Sequence, residues 1–433
     1  MRSFLRSITA EDERRQHDAV AVRELRRMLI HCKQNVPYYR RWLREFSDWE
    51  ACDPREVLAR LPVLTKASIR VDGGELRSAD LNERHWYYNT SGGSTGEPVK
   101  LVQDADHKSR GTAIAHLVGT WAGKHVGERE LCIWGSERDI LHNGSGLFGA
   151  AKNFIRGVYL VNAFRMTEGD MVQCVQAINS LRVKLIVAYA QAIFEIASFA
   201  DRKGLRVEPQ QAIMTSAGTL YPFMRQKLEK VFQCKVYNRY GSREVNTIAC
   251  QCGQMSGLHV TPWSNYVEIV DKKGQRVEPG IVGDIVVTCL TNYAMPLVRY
   301  AIGDRAALTD RICCCGRRGQ ILESVQGRVV DCFRNQDGAL IDGEYFTHLL
   351  YFRDWVRQFQ IVQKTEDSLE FNIVAAHENW SRTELDVITA GCRAVMGQAC
   401  QVRFNFVDRI DAESSGKYRY TKCEVRANEQ PAD

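Results

Sequence analysis

The chain has 433 residues, 45% hydrophobic and 25% charged, with 58 basic against 52 acidic side chains and a formal charge of +6. This is ordinary globular composition, with room for two or three domains at roughly 100–200 residues each. The small, evenly spread basic excess suits an anionic small ligand rather than nucleic acid.

Residues 1–60 read as charged helices: "AVRELRRMLIHCKQNVPYYRRWLREF" carries apolar residues at helical spacing, interrupted by Pro37. "HWYYNT" predicts a strand whose aromatic residues belong to a core, and "HKSRGTAIAHLVGTWAG" predicts the helix after the loop that follows it. "VKLIVAYA" is an apolar strand running into the helical "QAIFEIASFADRKG". "QAIMTSAGTL" and "YPFMRQKLEKVFQ" repeat strand, turn and helix, and "CKVYNRYG" adds a strand. The alternation predicts an α/β domain with a substantially parallel sheet. Near residue 265 the pattern turns to β structure, in "NYVEIVDKKGQRVEPGIVGDIVVTCL". Beyond "VQGRVVDC" come a hairpin in "WVRQFQIVQKTEDSLEFNIVAA", an amphipathic helix in "RTELDVITAGCRAVMG" and a strand in "CQVRFNFVD". The boundary is set at Gly327–Asp331, giving a large domain over 1–327 and a small α+β domain over 328–433.

No stretch approaches the roughly 18 apolar residues of a membrane helix. "MRSFLRSITAEDERRQ" lacks the apolar centre of a signal peptide. The reading is therefore a soluble, cytoplasmic protein without a membrane partner, whose 15 cysteines are mostly reduced thiols.

"SGGSTGEP" has the chemistry of an anion cradle. Gly92, Gly93 and Gly96 let backbone N–H groups approach a phosphate, and Ser91, Ser94 and Thr95 add hydroxyl donors. No Gly-Lys-Ser/Thr follows, so it is not a Walker A loop, and on its own it reads equally as a flexible turn. Three other stretches shift that balance. "YNRYGSREV" presents Tyr240, Gly241 and Glu244, "PLVRYAIGDRA" presents Arg299, Tyr300, Gly303 and Asp304, and "ESSGKYRY" presents Lys417. Each alone is equally a surface turn, a salt bridge or a solvated lysine. "CQCGQMSGLH" and "CCCGRRGQ" bring Cys250, Cys252, His259 and Cys313–Cys315, enough to close a tetrahedral zinc site or simply to be buried thiols. His142 in "ILHNGSG" reads as structural.

Taken in order along the chain, "VPYYRRW", "LPVLTKASIR", "SGGSTGEP", "TSAGTLYP", "YGSRE", "VRYAIGD", "GRVVD" and "SGKYR" resemble the motifs of the adenylate-forming superfamily. The branch they resemble holds phenylacetate-CoA ligases and CapK-type proteins. The resemblance implies a two-step ligase, in which ATP and a small carboxylic acid give an acyl-adenylate and a nucleophile then takes the acyl group and releases AMP. It implies that residues 91–96 hold the β- and γ-phosphates, that Glu244 coordinates Mg²⁺, that Tyr240 lies by the adenine and that Gly241 is among the ATP/AMP-binding residues. Asp304 would bind the ribose hydroxyls with Arg328 nearby, and Lys417 would bridge the carboxylate and the α-phosphate. Asp331 falls at the pivot of the mobile small domain, and Tyr189, Ser216, Ala217 and Gly218 fall where the family lines its acyl pocket. Cys252-x₆-His259 with Cys313-x-Cys315 resembles a structural zinc pattern of the branch. A homodimer is a frequent form of such relatives. One departure concerns Glu97, where many relatives carry lysine; either Lys100 substitutes or Glu97 points outward. The acceptor implied is coenzyme A, with a carrier-protein thiol or an amine as alternatives and a non-catalytic nucleotide-binding scaffold as the competing class.

If Lys417 stabilises developing charge, Lys417→Ala should depress adenylation by about 10²-fold or more. Acyl transfer from preformed acyl-adenylate should be much less affected; equal loss in both steps would contradict the two-conformation scheme.

Overall fold

Helix α1 (His17–Asn35) packs Val20, Ala21, Leu25, Met28, Leu29 and Cys32, which recur at helical spacing and form its buried stripe. It ends where Val36 adopts an extended conformation ahead of Pro37, whose fixed φ opens helix α2 (Pro37–Leu43). The computed structural model describes residues 17–44, 46, 51–90, 99–134, 157–162, 165–166, 168–218, 220, 222–326, 333–341, 343–350, 353, 355–377, 380–411 and 420–425. Two short helices follow, α3 (Pro54–Arg60), capped by Asp53, and α4 (Lys66–Asp72), opened by a Thr65–Ser68 capping box.

Strands β1 (Trp86–Thr90) and β2 (Lys100–Asp104) form an antiparallel hairpin of their own, with Thr90 opposite Lys100. The sequence pattern missed β2 and assigned the β1 aromatics to a core. Instead, Trp86 is 39% and Tyr88 44% exposed, because the hairpin stands outside the main sheet and β1 is its outer strand, whereas β2 is buried from Leu101 to Asp104. Helix α5 (Ala105–Trp121) follows directly, N-capped by Asp104.

The main sheet has 11 strands. Strands β3 (Glu130–Trp134), β4 (Val158–Asn162), β6 (Leu185–Tyr189), β7 (Ala212–Ser216) and β8 (Lys235–Ser242) run parallel, in the spatial order β4-β3-β6-β7-β8. Alternate residues bury opposite faces. Ile133, Ile186, Ile213 and Val236 pack under helices α6 (Glu168–Leu181), α7 (Ala190–Arg202) and α8 (Pro222–Phe232). Val187, Met214 and Tyr237 pack against Ile114, Leu117 and Val118 of α5. Burial on both faces is why these strands read as apolar runs.

From β8 the sheet turns antiparallel, through β9 (Asn246–Gln251), β10 (Leu258–Val260), β14 (Ile321–Gln326), β13 (Tyr300–Thr309), β12 (Gly283–Cys289) and β11 (Asn265–Val270). The expected parallel sheet is therefore one half of a mixed sheet. A separate core built from residues 333–423 supports a four-stranded sheet in the order β19-β18-β17-β20. Its strands are β17 (Val356–Thr365), β18 (Ser368–Ala375), β19 (Gln401–Phe406) and β20 (Thr421–Cys423), and its helices are α9 (Gly343–Leu350) and α10 (Arg382–Met396). Strands β15 (Phe333–Arg334) and β16 (Leu340–Ile341) extend this unit by pairing with β5 (Arg165–Met166) from the large sheet's side of the chain. That pairing has no sequence signal, because two-residue strands carry no periodicity.

Arg299, noted in the sequence beside Asp304, is structural. Its φ of +52° turns it inward, where Nε meets Glu268 Oε2 at 3.1 Å and its other nitrogens bind the carbonyls of Ala59, Leu61 and Gly274. Glu268 is held on its other side by Arg276 at 2.9 Å. Replacing Arg299 by Met strands a buried carboxylate beside one remaining partner, so stability should fall by about 3 kcal/mol, read from the urea unfolding midpoint. A loss below about 1 kcal/mol would show that Arg276 alone suffices.

Candidate active site

Glu244 sits at the centre of the site. Strands β8 and β9 pair through Ser242 and Asn246, which leaves Arg243, Glu244 and Val245 as a three-residue turn. Gly241 is needed just before it, since a Cβ there would lie 2.5 Å from the Asn246 carbonyl oxygen. Each carbonyl of the turn is bound from outside. Gln103 Nε2 donates to Arg243 O at 2.9 Å and Glu244 O at 3.1 Å, and Asn265 Nδ2 donates to Val245 O at 3.2 Å. The Glu244 side chain is 2% exposed and accepts from the Tyr300 hydroxyl at 3.4 Å. It has no basic partner among the described residues.

Gln103 and Asn89 tie this turn to the hairpin that carries the glycine-rich loop. Gln103 Oε1 accepts from Asn89 at 2.9 Å and from Tyr87 at 3.2 Å. Residues 91–96 lie outside the described residues, as do Glu97, Arg328, Asp331, Lys417 and His142. The strand ends that flank the loop, Thr90 and Lys100, are nevertheless fixed opposite each other by the pairing of β1 with β2. The hydroxyl oxygens of Thr90 and Ser242 are buried and have no hydrogen-bond partner among the described residues. One ends β1 and the other ends β8, and a buried hydroxyl without a partner is a donor left for a ligand. The Lys100 ammonium lies over the Tyr88 ring, 3.7 Å from its centroid. None of Asn89, Gln103, Thr90 or Ser242 was singled out in the sequence; Gln103 belongs to the strand that the pattern missed.

The second pair to converge is Tyr240 and Asp304. The Tyr240 hydroxyl donates to Asp304 Oδ2 at 2.8 Å, and Asp304 is 9% exposed. Strand β13 thus touches the "YGSRE" segment twice, through Tyr300 at Glu244 and Asp304 at Tyr240.

Tyr189 and Ser216 lie side by side as the last residues of β6 and β7, with Gly218 half-buried beyond them. Ala217 has φ +62°, an uncommon conformation for a residue with a Cβ, and such strain often accompanies a functional turn. All of these lie at the carboxyl ends of parallel strands, where open α/β sheets bind ligands.

A fourth group closes at the far end of β9. Cys252, His259, Cys313 and Cys315 bring their ligand atoms within 4.8 Å of one another. Cys252 Sγ and Cys313 Sγ are 3.6 Å apart, and Cys315 Sγ and His259 Nε2 are 3.5 Å apart. The edges of a tetrahedron built on zinc–ligand bonds are about 3.8 Å for sulfur–sulfur and about 3.5 Å for sulfur–nitrogen, so the donor set fits zinc. Gly257 permits the tight return from Cys252 to His259: its φ is +127°, and a Cβ would lie 2.6 Å from Ile321. Cys250 faces the core under α5 and Cys314 is exposed, so neither joins the group. Burial pushes the Cys252 thiol up to about 12 and lowers His259 to about 4, leaving both neutral at pH 7 in the bare chain.

The model of the CapK C-terminal domain matches residues 333–424. The chain is 27% identical to a phenylacetate-coenzyme A ligase of Thermus thermophilus over 81% of this chain and 79% of that one. It is 21% identical to Protein CapK of Staphylococcus aureus over 83% and 79%. Among solved structures it resembles a 2-hydroxyisobutyryl-CoA ligase in complex with 2-HIB-AMP and CoA in the thioesterification state. The TM-score is 0.59 and the identity 18%, covering 96% of this chain and 91% of that one. Fold and motif order thus resemble those of adenylate-forming enzymes. The similarity runs both to phenylacetate-CoA ligase and to Protein CapK, the latter also through the C-terminal domain.

Proposed function

We propose that this protein is an ATP-dependent, AMP-forming ligase that activates a small carboxylic acid as its acyl-adenylate and passes the acyl group to a thiol such as coenzyme A. The observation that carries this reading is the double contact of β13 with the "YGSRE" turn, which sets Glu244 and the Tyr240–Asp304 pair beside the hairpin bearing the glycine-rich loop.

A carboxylate attacking a phosphate brings two anions together, so the site must supply positive charge and donors before reaction. Glu244 is a buried acceptor without a basic partner among the described residues, and it fits a Mg²⁺ held by one carboxylate and substrate phosphates. Such an ion would neutralise phosphate charge when bound. Thr90 and Ser242 offer hydroxyls to the same region, and residues 91–96 would supply backbone N–H groups. Asp304, oriented by Tyr240, would accept from the ribose hydroxyls, with Gly241 beside the nucleotide and Arg328 nearby. Lys417 would meet the charge that develops between acid and α-phosphate. A pivot at Asp331 would withdraw Lys417 afterwards and admit the acceptor. Tyr189, Ser216, Ala217 and Gly218 would line the acyl pocket.

An amine acceptor is the second reading, favoured by the CapK-type C-terminal domain and the "YGSRE" form of the motif. A carrier-protein thiol is a third. Cys252, His259, Cys313 and Cys315 would hold a structural zinc, with four protein ligands and no open position. That ion would staple the segment after "YGSRE" to the β13–β14 connection. No helix among the described residues is long and apolar enough to cross a membrane.

Pyrophosphate release should appear with at least one member of a panel of small acids, and adding coenzyme A should then consume the acyl-adenylate. If no acid gives pyrophosphate, the scaffold reading wins; if only amines consume the adenylate, coenzyme A is displaced as acceptor. Metal analysis should find about one zinc per chain. A metal-free protein with undiminished thermal stability would remove the zinc assignment.

A further inference from the structure

The turn that carries Glu244 leaves through Asn246, the first residue of β9, and that residue is seated in helix α5. Its φ is +60°, in the left-handed region that asparagine tolerates better than other residues with a Cβ. Its side-chain amide enters the first turns of α5. Nδ2 donates to His107 Nε2 at 2.9 Å and to the His107 carbonyl oxygen at 3.3 Å, which uses both amide hydrogens. With Nε2 accepting, the N–H of the ring is on Nδ1, and it donates to Thr291 Oγ1 at 2.8 Å. His107 is fully buried, and its backbone N–H is bound by the Asp104 carboxylate at 2.7 Å.

Gly111, one turn further along α5, makes room for the amide. A Cβ there would lie 2.5 Å from Nδ2 and 2.7 Å from Cγ of Asn246. Glycine is less favourable than alanine in a helix interior, so the helix by itself gives no reason for this residue; the seated amide does. Asn246 is thus enclosed by two glycines, Gly111 against its amide and Gly241 against its carbonyl. The turn is gripped along its length: Gln103 holds the carbonyls of Arg243 and Glu244, Asn265 holds that of Val245, and α5 holds the exit. Neither His107 nor Gly111 touches Glu244 itself; they act on it through Asn246, two residues further on.

We propose that Asn246, seated in α5 between His107 and Gly111, is a positioning residue that aims the Glu244 carboxylate and so sets its affinity for Mg²⁺. The inference rests on the ligase reading above, in which Glu244 holds the ion, and adds to it the element that orients the ligand. Outer contacts of this kind cost about 10–100-fold in metal affinity when they are removed. Two substitutions isolate the seat. Asn246→Gly removes the amide and keeps the left-handed backbone, which glycine adopts freely. Gly111→Ala keeps Asn246 and fills the place its amide occupies; the amide is the end of a side chain and can leave, so the backbone is spared.

Calorimetric binding of ATP is measured over a range of Mg²⁺ concentrations with the wild-type chain, both single variants and the double variant, and urea unfolding is followed alongside. Each single variant should need about 10-fold more Mg²⁺ for half-maximal ATP binding. The double variant should need no more than the worse single one, because both changes empty the same seat. A merely structural role would lower the unfolding midpoint and leave the Mg²⁺ requirement where it is in the wild type. That result, or additive effects in the double variant, overturns the proposal and leaves the ligase reading intact. A wild-type chain without Mg²⁺-dependent ATP binding sinks the ligase reading, and the proposal with it. If circular dichroism shows that one single variant fails to fold, the Mg²⁺ requirement of the other decides; if neither folds, the seat is a folding element and the proposal is overturned.

Discussion

The site depends on a carboxylate, Glu244, held almost entirely out of water without a cation from the described residues beside it. A buried charge of this kind is costly unless something neutralises it. The surrounding structure is arranged to tolerate that state rather than relieve it. The backbone of the turn is fixed by Gln103 and Asn265, so the turn cannot shift without breaking bonds from two other strands. The same bonds fix the base of the hairpin from which residues 91–98 spring. The loop that would hold phosphate and the carboxylate that would hold the metal are thus registered through Gln103, a residue that need touch neither ligand.

The mixed sheet makes this registration possible. Its parallel half ends at Tyr189, Ser216 and Ser242, which gathers candidate acyl and nucleotide contacts along one edge. Its antiparallel half brings β13 back so that Tyr300 and Asp304 meet Glu244 and Tyr240. A wholly parallel sheet would offer the first set without the second. The cysteine–histidine group lies where β9, β10 and the β13–β14 connection meet, so a bound zinc would brace the antiparallel half behind the site. Arg299 and Glu268 brace it from the side of the N-terminal helices, through carbonyls of residues 59 and 61.

Much of this was legible in the chain. The strand–helix alternation, the β-rich stretch after residue 265 and the small α+β unit followed from periodicity and turn residues, because burial on one or both faces imposes those periods directly. The motifs named Glu244, Asp304 and Tyr240, and the thiol set named Cys252, His259, Cys313 and Cys315, which the fold brings together. The β1 aromatics were misjudged because period and hydrophobicity do not reveal whether a hairpin joins the main sheet. Arg299 drew notice for its place beside Asp304, yet its side chain points the other way, a direction set by its positive φ.

By itself, then, the sequence determined the class of fold, the order of its elements and the residue types available for chemistry, since these depend on local spacing and composition. Only the tertiary structure decided which of those residues meet. The hold of Gln103 on the Glu244 turn, the Tyr240–Asp304 bond and the meeting of Cys252 and His259 with Cys313 and Cys315 all join segments far apart in the chain. Strand order and register set those contacts, and neither is written in any single stretch of residues.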